Sequence, residues 1–300
     1  MQTAWGEIRV SDAHVHFFSH GFLASLTSQR GRTVDEAARF LGWTPPPADP
    51  ADLAHAWARE LDAHSVAKAA LISSVPGDEG SVAAAMAACP DRFLGYFMFN
   101  PLAENPGERV RAALASGLRA VCLFPAMHRY AVWDERVRPV FEEAARLPGH
   151  AVFVHCGVLS VGVRKKLRLP SPFDMRFSNP IDLHAVALAY PELPFIVPHF
   201  GAGYFREALM LADQCPNVYL DTSSSNNWMR YEGLDLKTVF ARALDVAGAD
   251  RLLFGTDSSF FPRGWNAAVF EAQAKALVDL GAGAQDAQKI FGGNLERLFG

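Results

Sequence analysis

DAHVHF, Asp12–Phe17, is the stretch on which the reading of this chain turns. Two imidazoles flank a single apolar residue inside an apolar run near the N-terminus. On a strand, successive side chains alternate between faces, so His14 and His16 point the same way. If that face lines an enclosed interior, one ion can reach both rings. Taken alone, the pair reads equally well as an ordinary strand that contains two histidines. Asp12 falls on the same alternation one step deeper, where it either supports a ligand histidine or simply packs.

Working outward, short β-rich runs recur along the whole chain. They are EIRVSDAHVHF (7–17), KAALISS (68–74), RFLGYFMF (92–99), LRAVCLF (118–124), HAVFVHC (150–156), PFIVPHF (194–200), NVYLDTS (217–223) and RLLFGTD (251–257). Helical runs separate them, among them ADLAHAWARELDAH (51–64), DERVRPVFEEAARL (134–147) and NAAVFEAQAKALVDL (266–280). Strands this apolar are buried on both faces, the signature of parallel pairing with helical crossovers. Eight β-then-α units point to the α/β class and a (β/α)8 TIM barrel forming one domain over residues 1–300. A doubly wound open sheet is the competitor, but no GxGxxG follows the first strand. Residues 18–50, with TVDEAARFLGW and TPPPADP, read as an insertion after strand one. It is either part of a lid over the barrel mouth or a plain surface excursion. AQDAQKIFGGNLERLFG (284–300) reads as a C-terminal helical extension.

Composition narrows the partners. The chain has 300 residues, half of them hydrophobic and a fifth charged, with a net charge of −4. That is a globular composition, and no basic block of the kind that tracks nucleic acid is present. Cys89, Cys122, Cys156 and Cys215 form no CxxC pair, which argues against a zinc ribbon or redox dithiol. MQTAWGEIRV lacks the regions of a signal peptide, and no apolar run approaches the roughly 18 residues of a membrane span. The expectation is a cytoplasmic protein acting on a small molecule, with no nucleic-acid or membrane partner; barrel enzymes of this kind often form homodimers, though no residue here demonstrates an interface.

Barrel enzymes place their chemistry at the C-terminal ends of the strands. His14 and His16 end strand one, His155 ends strand five, His199 strand six and Asp257 strand eight. Three histidines and a carboxylate suit one divalent ion, Zn2+ first, with Mn2+, Fe2+, Co2+ and Ni2+ accepting similar donors.

DAHVHF, VHCG, PHFGAG and FGTD, in that order on strands one, five, six and eight, together resemble the amidohydrolase superfamily. The closest likeness is to its amidohydrolase-related branch of TIM-barrel metal-dependent hydrolases, which also holds metal-dependent decarboxylases. GGNLERLFG (Gly292–Gly300) is similar to the ending common in that branch. The resemblance implies that His14, His16, His155 and Asp257 are metal ligands. It implies that His199 faces the substrate and that Asp257 also handles a proton, so that His199 and Asp257 are the catalytic residues. Binuclear members often carry a bridging lysine on strand four. Here LRAVCLFP has Cys122 at that place and no lysine, so the resemblance implies a single ion.

Such a set supports attack of a metal-activated water on an ester, lactone or amide carbonyl. The same residues support non-oxidative decarboxylation of a small carboxylic acid, aromatic ones included. A barrel that binds metal or ligand without turnover is the reading from another class. For substrate contacts the candidates are Phe17, Phe124, His128, Arg164 and Trp228, with Phe18 and Phe260 as further aromatic neighbours. Each has an alternative in core packing or loop solvation. Ser223–Asn227 in DTSSSNNW is polar enough to bond a ligand. His20, in the insertion, is a mouth candidate like His128 with an exposed loop histidine as its alternative, and His55, His64, His150 and His184 carry no chemistry in this reading.

Overall fold

The computed structural model describes residues 1–224 and 226–300. Met1 through Glu7 open with a small antiparallel hairpin, β1 (Gln2–Thr3) against β2 (Gly6–Glu7). The first predicted strand is therefore shorter than expected at its start. The barrel itself is built from β3 (Val10–Phe17), β4 (Val66–Ser73), β5 (Phe93–Phe99), β6 (Ala120–Leu123), β7 (Ala151–Val154), β8 (Phe195–Val197), β9 (Val218–Asp221) and β10 (Leu252–Leu253). Neighbours pair in parallel in sequence order from β3 to β10. The two ends of the sheet then meet. Val15 bridges Ser258, Ala13 N–H donates to Phe254 O at 2.8 Å, His16 N–H to Ser258 O at 2.7 Å and Asp257 N–H to His14 O at 3.0 Å. The result is a nearly closed (β/α)8 barrel, and all eight predicted strands are found.

Apolar side chains divide into two layers, as a barrel requires. Ala13, Ile72, Tyr96, Met98, Cys122, Phe153 and Ile196 fill the interior. Val15, Phe17, Leu71, Phe97, Val121 and Val152 point to the helices outside. The C-terminal extension closes the bottom. Its last helix, Asn294–Phe299, inserts Leu295 and Phe299 into the interior cluster, with the Phe299 ring 5.5 Å from Tyr96. Asn294 Nδ2 fixes it by donating to Ala249 O and Leu252 O at 2.7 and 2.8 Å.

Helix DERVRPVFEEAARL is trimmed to Arg138–Ala144, because Pro139 fits only the first turn and Asp134–Val137 form a turn ahead of it. The insertion after β3 folds as two helices, His20–Thr27 and Val34–Leu41, rather than one. Ser19 caps the first by accepting from Phe22 N, and Thr33 with Glu36 forms a capping box on the second. Phe22, Leu23, Leu26, Ala37, Ala38 and Trp43 pack against Val163, Leu167 and Leu169 of the long segment after β7. Two excursions from opposite sides of the barrel thus share one apolar cluster beside the mouth.

Candidate metal centre

β3 does not alternate evenly. Asp12 pairs with Ala69 and Val15 with Leu71, so β3 uses three steps where β4 uses two. The extra residue is a β-bulge, and it resets the faces. Ala13 lies in the interior, and His14 and His16 both turn to the mouth. Asp12, read from strict alternation as a companion of the histidines, turns to the helix side. There it accepts from Trp265 Nε1 (2.8 Å), Thr256 Oγ1 (2.5 Å), Thr256 N (3.1 Å) and His14 N (2.9 Å). Burial pushes its carboxyl up to about 6, against the pull of those hydrogen bonds. Its role is to fix the seam between the first and last strands.

At the mouth, three ligand atoms converge. His14 Nε2 is 3.4 Å from His16 Nε2, His16 Nε2 is 3.3 Å from Asp257 Oδ1, and His14 Nε2 is 3.8 Å from the same oxygen. The far side of each ring is held. His14 Nδ1 lies 2.6 Å from Asp221 Oδ2 and 3.0 Å from Ser223 Oγ, and His16 Nδ1 lies 2.7 Å from Ser74 Oγ. A proton on His14 Nδ1, facing the carboxylate, leaves the Nε2 lone pair aimed at the other two donors. Two donors each about 2.0–2.1 Å from a tetrahedral ion stand about 3.3–3.4 Å apart. The observed separations match that edge, the third being somewhat opened. The donor set therefore fits a divalent cation.

Electrostatics agree with the geometry. Burial raises the Asp257 carboxyl, but the His16 hydrogen bond and the charges of His16 and His14 outweigh it and hold the group far below the carboxylate range. Burial lowers His16. It also lowers His14, yet the Asp221 charge and hydrogen bond overcome this and raise that ring. Burial and the neighbouring imidazoles lower His155 strongly, which keeps a neutral donor there.

His155 and His199 stand beside this trio. His155 is stacked on Phe124, with ring centres 5.4 Å apart, and its centre is 5.4 Å from His199. Its Nδ1 is buried without a partner among the described residues, and it lies outside the trio whose donors fall within 4.8 Å of one another. His199 places Nδ1 2.8 Å from Ser223 Oγ. The PHFGAG loop that carries it is strained. His199, Phe200 and Ala202 have φ of 55°, 52° and 44°, and Asp257 has 57°. Left-handed backbone costs a non-glycine residue about 1–2 kcal/mol, and here it collects around the site, as strain at functional positions does. Gly157, next to His155, has φ +77°, and a Cβ there would stand 2.2 Å from Gly201 O. Only glycine lets the two histidine-bearing loops touch.

A cavity of about 800 Å3 opens above these residues. Phe124, Arg164 and Trp228 line it, as do Phe18 and Phe260. Phe17 does not. It is fully buried in the outer layer, because the alternation that turns His16 inward turns its neighbour outward. His128 also misses the cavity. It faces back toward Tyr130, while its neighbour Met127 takes the wall. Arg164 Nε donates to Pro170 O at 3.0 Å, so part of its fork serves its own loop. Cys122 is fully buried in the interior, and burial pushes its thiol well up. Within DTSSSNNW, Asn227 and Trp228 reach the cavity and Ser223 serves the histidines, while Ser225 lies outside the described residues. Sequence reasoning missed Asp221, Ser74 and Arg263. The acid ending VYLD was the one visible signal, since it closes a strand as Asp257 does.

A parallel eight-stranded barrel with a histidine and carboxylate cluster at the C-terminal mouth defines a class of α/β barrels whose mouth could hold a metal ion. The amidohydrolase family model matches residues 11–300, and the chain belongs to that family. In three dimensions it is similar to a Pseudomonas putida protein described as a 2-pyrone-4,6-dicarboxylic acid hydrolase. That match has a TM-score of 0.63 and 19% identity, over 98% of each chain. A Burkholderia multivorans amidohydrolase with bound zinc matches with a TM-score of 0.59 and 16% identity, over 97% of this chain and 99% of that one. Protein fluG of Emericella nidulans is 33% identical over 105 residues, a stretch that covers 34% of this chain and 12% of that protein. No helix among the described residues is long and apolar enough to cross a membrane.

Proposed function

We propose that this chain is a metal-dependent hydrolase acting on an ester, lactone or amide carbonyl of a small molecule. The observation that carries the reading is the convergence of His14 Nε2, His16 Nε2 and Asp257 Oδ1 at tetrahedral spacing under an open cavity. In this reading His155, which lines the same cavity but stands outside the trio, is the fourth ligand. A bound divalent ion, Zn2+ first, would supply Lewis acidity toward water and the substrate carbonyl. Asp257 takes the proton of the attacking water and returns it to the leaving group. His199, oriented through Ser223, donates a hydrogen bond to the developing oxyanion. The family membership and the zinc-bound neighbour support a metal enzyme. The cavity above the donors favours turnover over a purely ion-holding barrel.

Elemental analysis of the wild type and of His14→Ala, His155→Ala and Asp257→Ala tests the ligand set. Full ion content in all three variants would sink it. A parallel screen of aryl esters, lactones and amides against hydroxylated aromatic acids reads the reaction. Release of CO2 from the acids without hydrolysis of the others replaces this reading with the decarboxylase.

A further inference from the structure

Among the described residues, four cationic side chains line the cavity, Arg164, Lys166, Arg230 and Arg263, against the one carboxylate of Asp257. Among them Arg263 is held in place beside the donor trio. Its Nη2 donates to Asp257 O at 3.0 Å and to Ser259 Oγ at 2.9 Å. Its guanidinium lies over the Phe260 ring, 4.7 Å from the centre. Phe260 in turn ends a continuous stack, with Trp43 at 4.5 Å, Phe18 at 5.6 Å from Trp43 and Phe22 at 4.1 Å from Phe18. That stack ties the insertion, the end of β3 and the loop after β10 together, so the ring under the guanidinium is held in place, while Arg263 itself stays exposed to the cavity and solvent. Nε and Nη1 make no hydrogen bond among the described residues, which leaves part of a planar donor fork for a ligand. A second donor points to the same need. Trp43 lines the cavity and is 8% exposed, yet its buried indole N–H has no acceptor among the described residues.

From this geometry we infer that Arg263 is the residue that selects the substrate, by binding a carboxylate carried on an apolar body, next to the reacting group held at His16 and Asp257. A planar fork pairs with a carboxylate through two charge-assisted bonds, which a neutral amide or ester of the same shape cannot match. The two hydrogen bonds of Nη2 and the Phe260 ring beneath the guanidinium lower part of the ordering cost. The inference rests on the proposed use of this mouth as an active site, but its test does not depend on turnover.

The probes are benzoate and its neutral counterpart benzamide, titrated calorimetrically into the full-length protein with its ion content measured alongside. Wild type is expected to bind benzoate at least about ten-fold more tightly than benzamide, with the preference shrinking as salt rises. Arg263→Gln is expected to lose about ten-fold or more of the benzoate affinity with benzamide unchanged, and Arg263→Lys to retain part of it. No preference for the anion in wild type overturns the assignment, and so does an equal loss of both probes in Arg263→Gln. Undiminished benzoate affinity in Arg263→Gln overturns it too, even if the ion is bound and esters are hydrolysed. Conversely, an Arg263-dependent preference in a protein that holds no ion and hydrolyses nothing supports the carboxylate site while removing the hydrolase reading.

Discussion

Asp221→Asn exchanges one atom, and its effect can be worked out from the bonds that atom makes. Asp221 Oδ2 faces His14 Nδ1 at 2.6 Å, and Oδ1 accepts from Ser223 N, also at 2.6 Å. Both side chains of the ion pair are buried. Asparagine has one oxygen to serve two donors. If the oxygen stays with Ser223 N–H, the NH2 group faces His14 Nδ1 and forces that nitrogen to accept. The ring proton then moves to Nε2 and points at His16 and Asp257, blocking the lone pair that would hold the ion. If the amide turns over, the ring keeps its tautomer, but Ser223 N–H loses its acceptor, at a cost of about 1–3 kcal/mol. Loss of an orienting carboxylate behind a ligand imidazole lowers ion affinity by about 10–100-fold, or about 1.4–2.8 kcal/mol at 1.4 kcal/mol per decade. The expected result is thus weaker Zn2+ binding, lower stability, or a share of each. Competition titration of Zn2+ against a chelating dye measures the first, and urea unfolding of the chelated protein measures the second. Zn2+ affinity within two-fold of wild type together with an unchanged unfolding midpoint would refute the tautomer argument.

Three further outcomes are expected. Gly157→Ala drives a Cβ to 2.2 Å from Gly201 O and 2.3 Å from Ala202 O, so it should destabilise by more than the roughly 1 kcal/mol of a left-handed alanine and depress ion binding, read by thermal melting and by ion content. Phe299→Ala removes the ring that plugs the barrel bottom against Tyr96 and should cost about 3–5 kcal/mol in urea unfolding while leaving the mouth's Zn2+ affinity in place. Glu143 takes two hydrogen bonds from Arg111, which pull its carboxyl down to about 2. A carboxyl depressed in the folded state stabilises above its unfolded value near 4.5 and loses that contribution as pH falls toward 2. Glu143→Gln should therefore lower stability at pH 7 by no more than about 1 kcal/mol for a surface pair, and the difference from wild type should shrink below pH 4.5 and vanish toward pH 2, flattening the acid limb of the stability curve.

The barrel was legible because its evidence is local. Each strand is a short apolar run closed by turn residues, and eight of them with helices between leave few topologies. His14, His16 and Asp257 were legible for the same reason, as polar residues at the ends of apolar strands. What could not be read depends on contacts between remote segments. The bulge that turns Asp12 away from the histidines exists because β3 must pair with β4 on one side and meet residues 254–258 on the other. Asp221 earned no notice because nothing in VYLDTS shows that His14 stands 2.6 Å away. The same limit applies to Arg263, whose place is set by an aromatic stack drawn from three separate parts of the chain. Phe17 shows a different failure, since strict alternation from His16 already placed it on the opposite face.

The trio straddles the seam of the barrel. His14 and His16 belong to the first barrel strand and Asp257 follows the last, so an ion gripped by all three would join the two margins of the sheet. Nearly the whole chain lies between them. A link of that span acts as a clasp on a rolled sheet, removing from the open chain the many arrangements in which those margins drift apart. Loading the mouth then resists unrolling of the entire cylinder, and stripping it loosens first the margins where β3 meets β10.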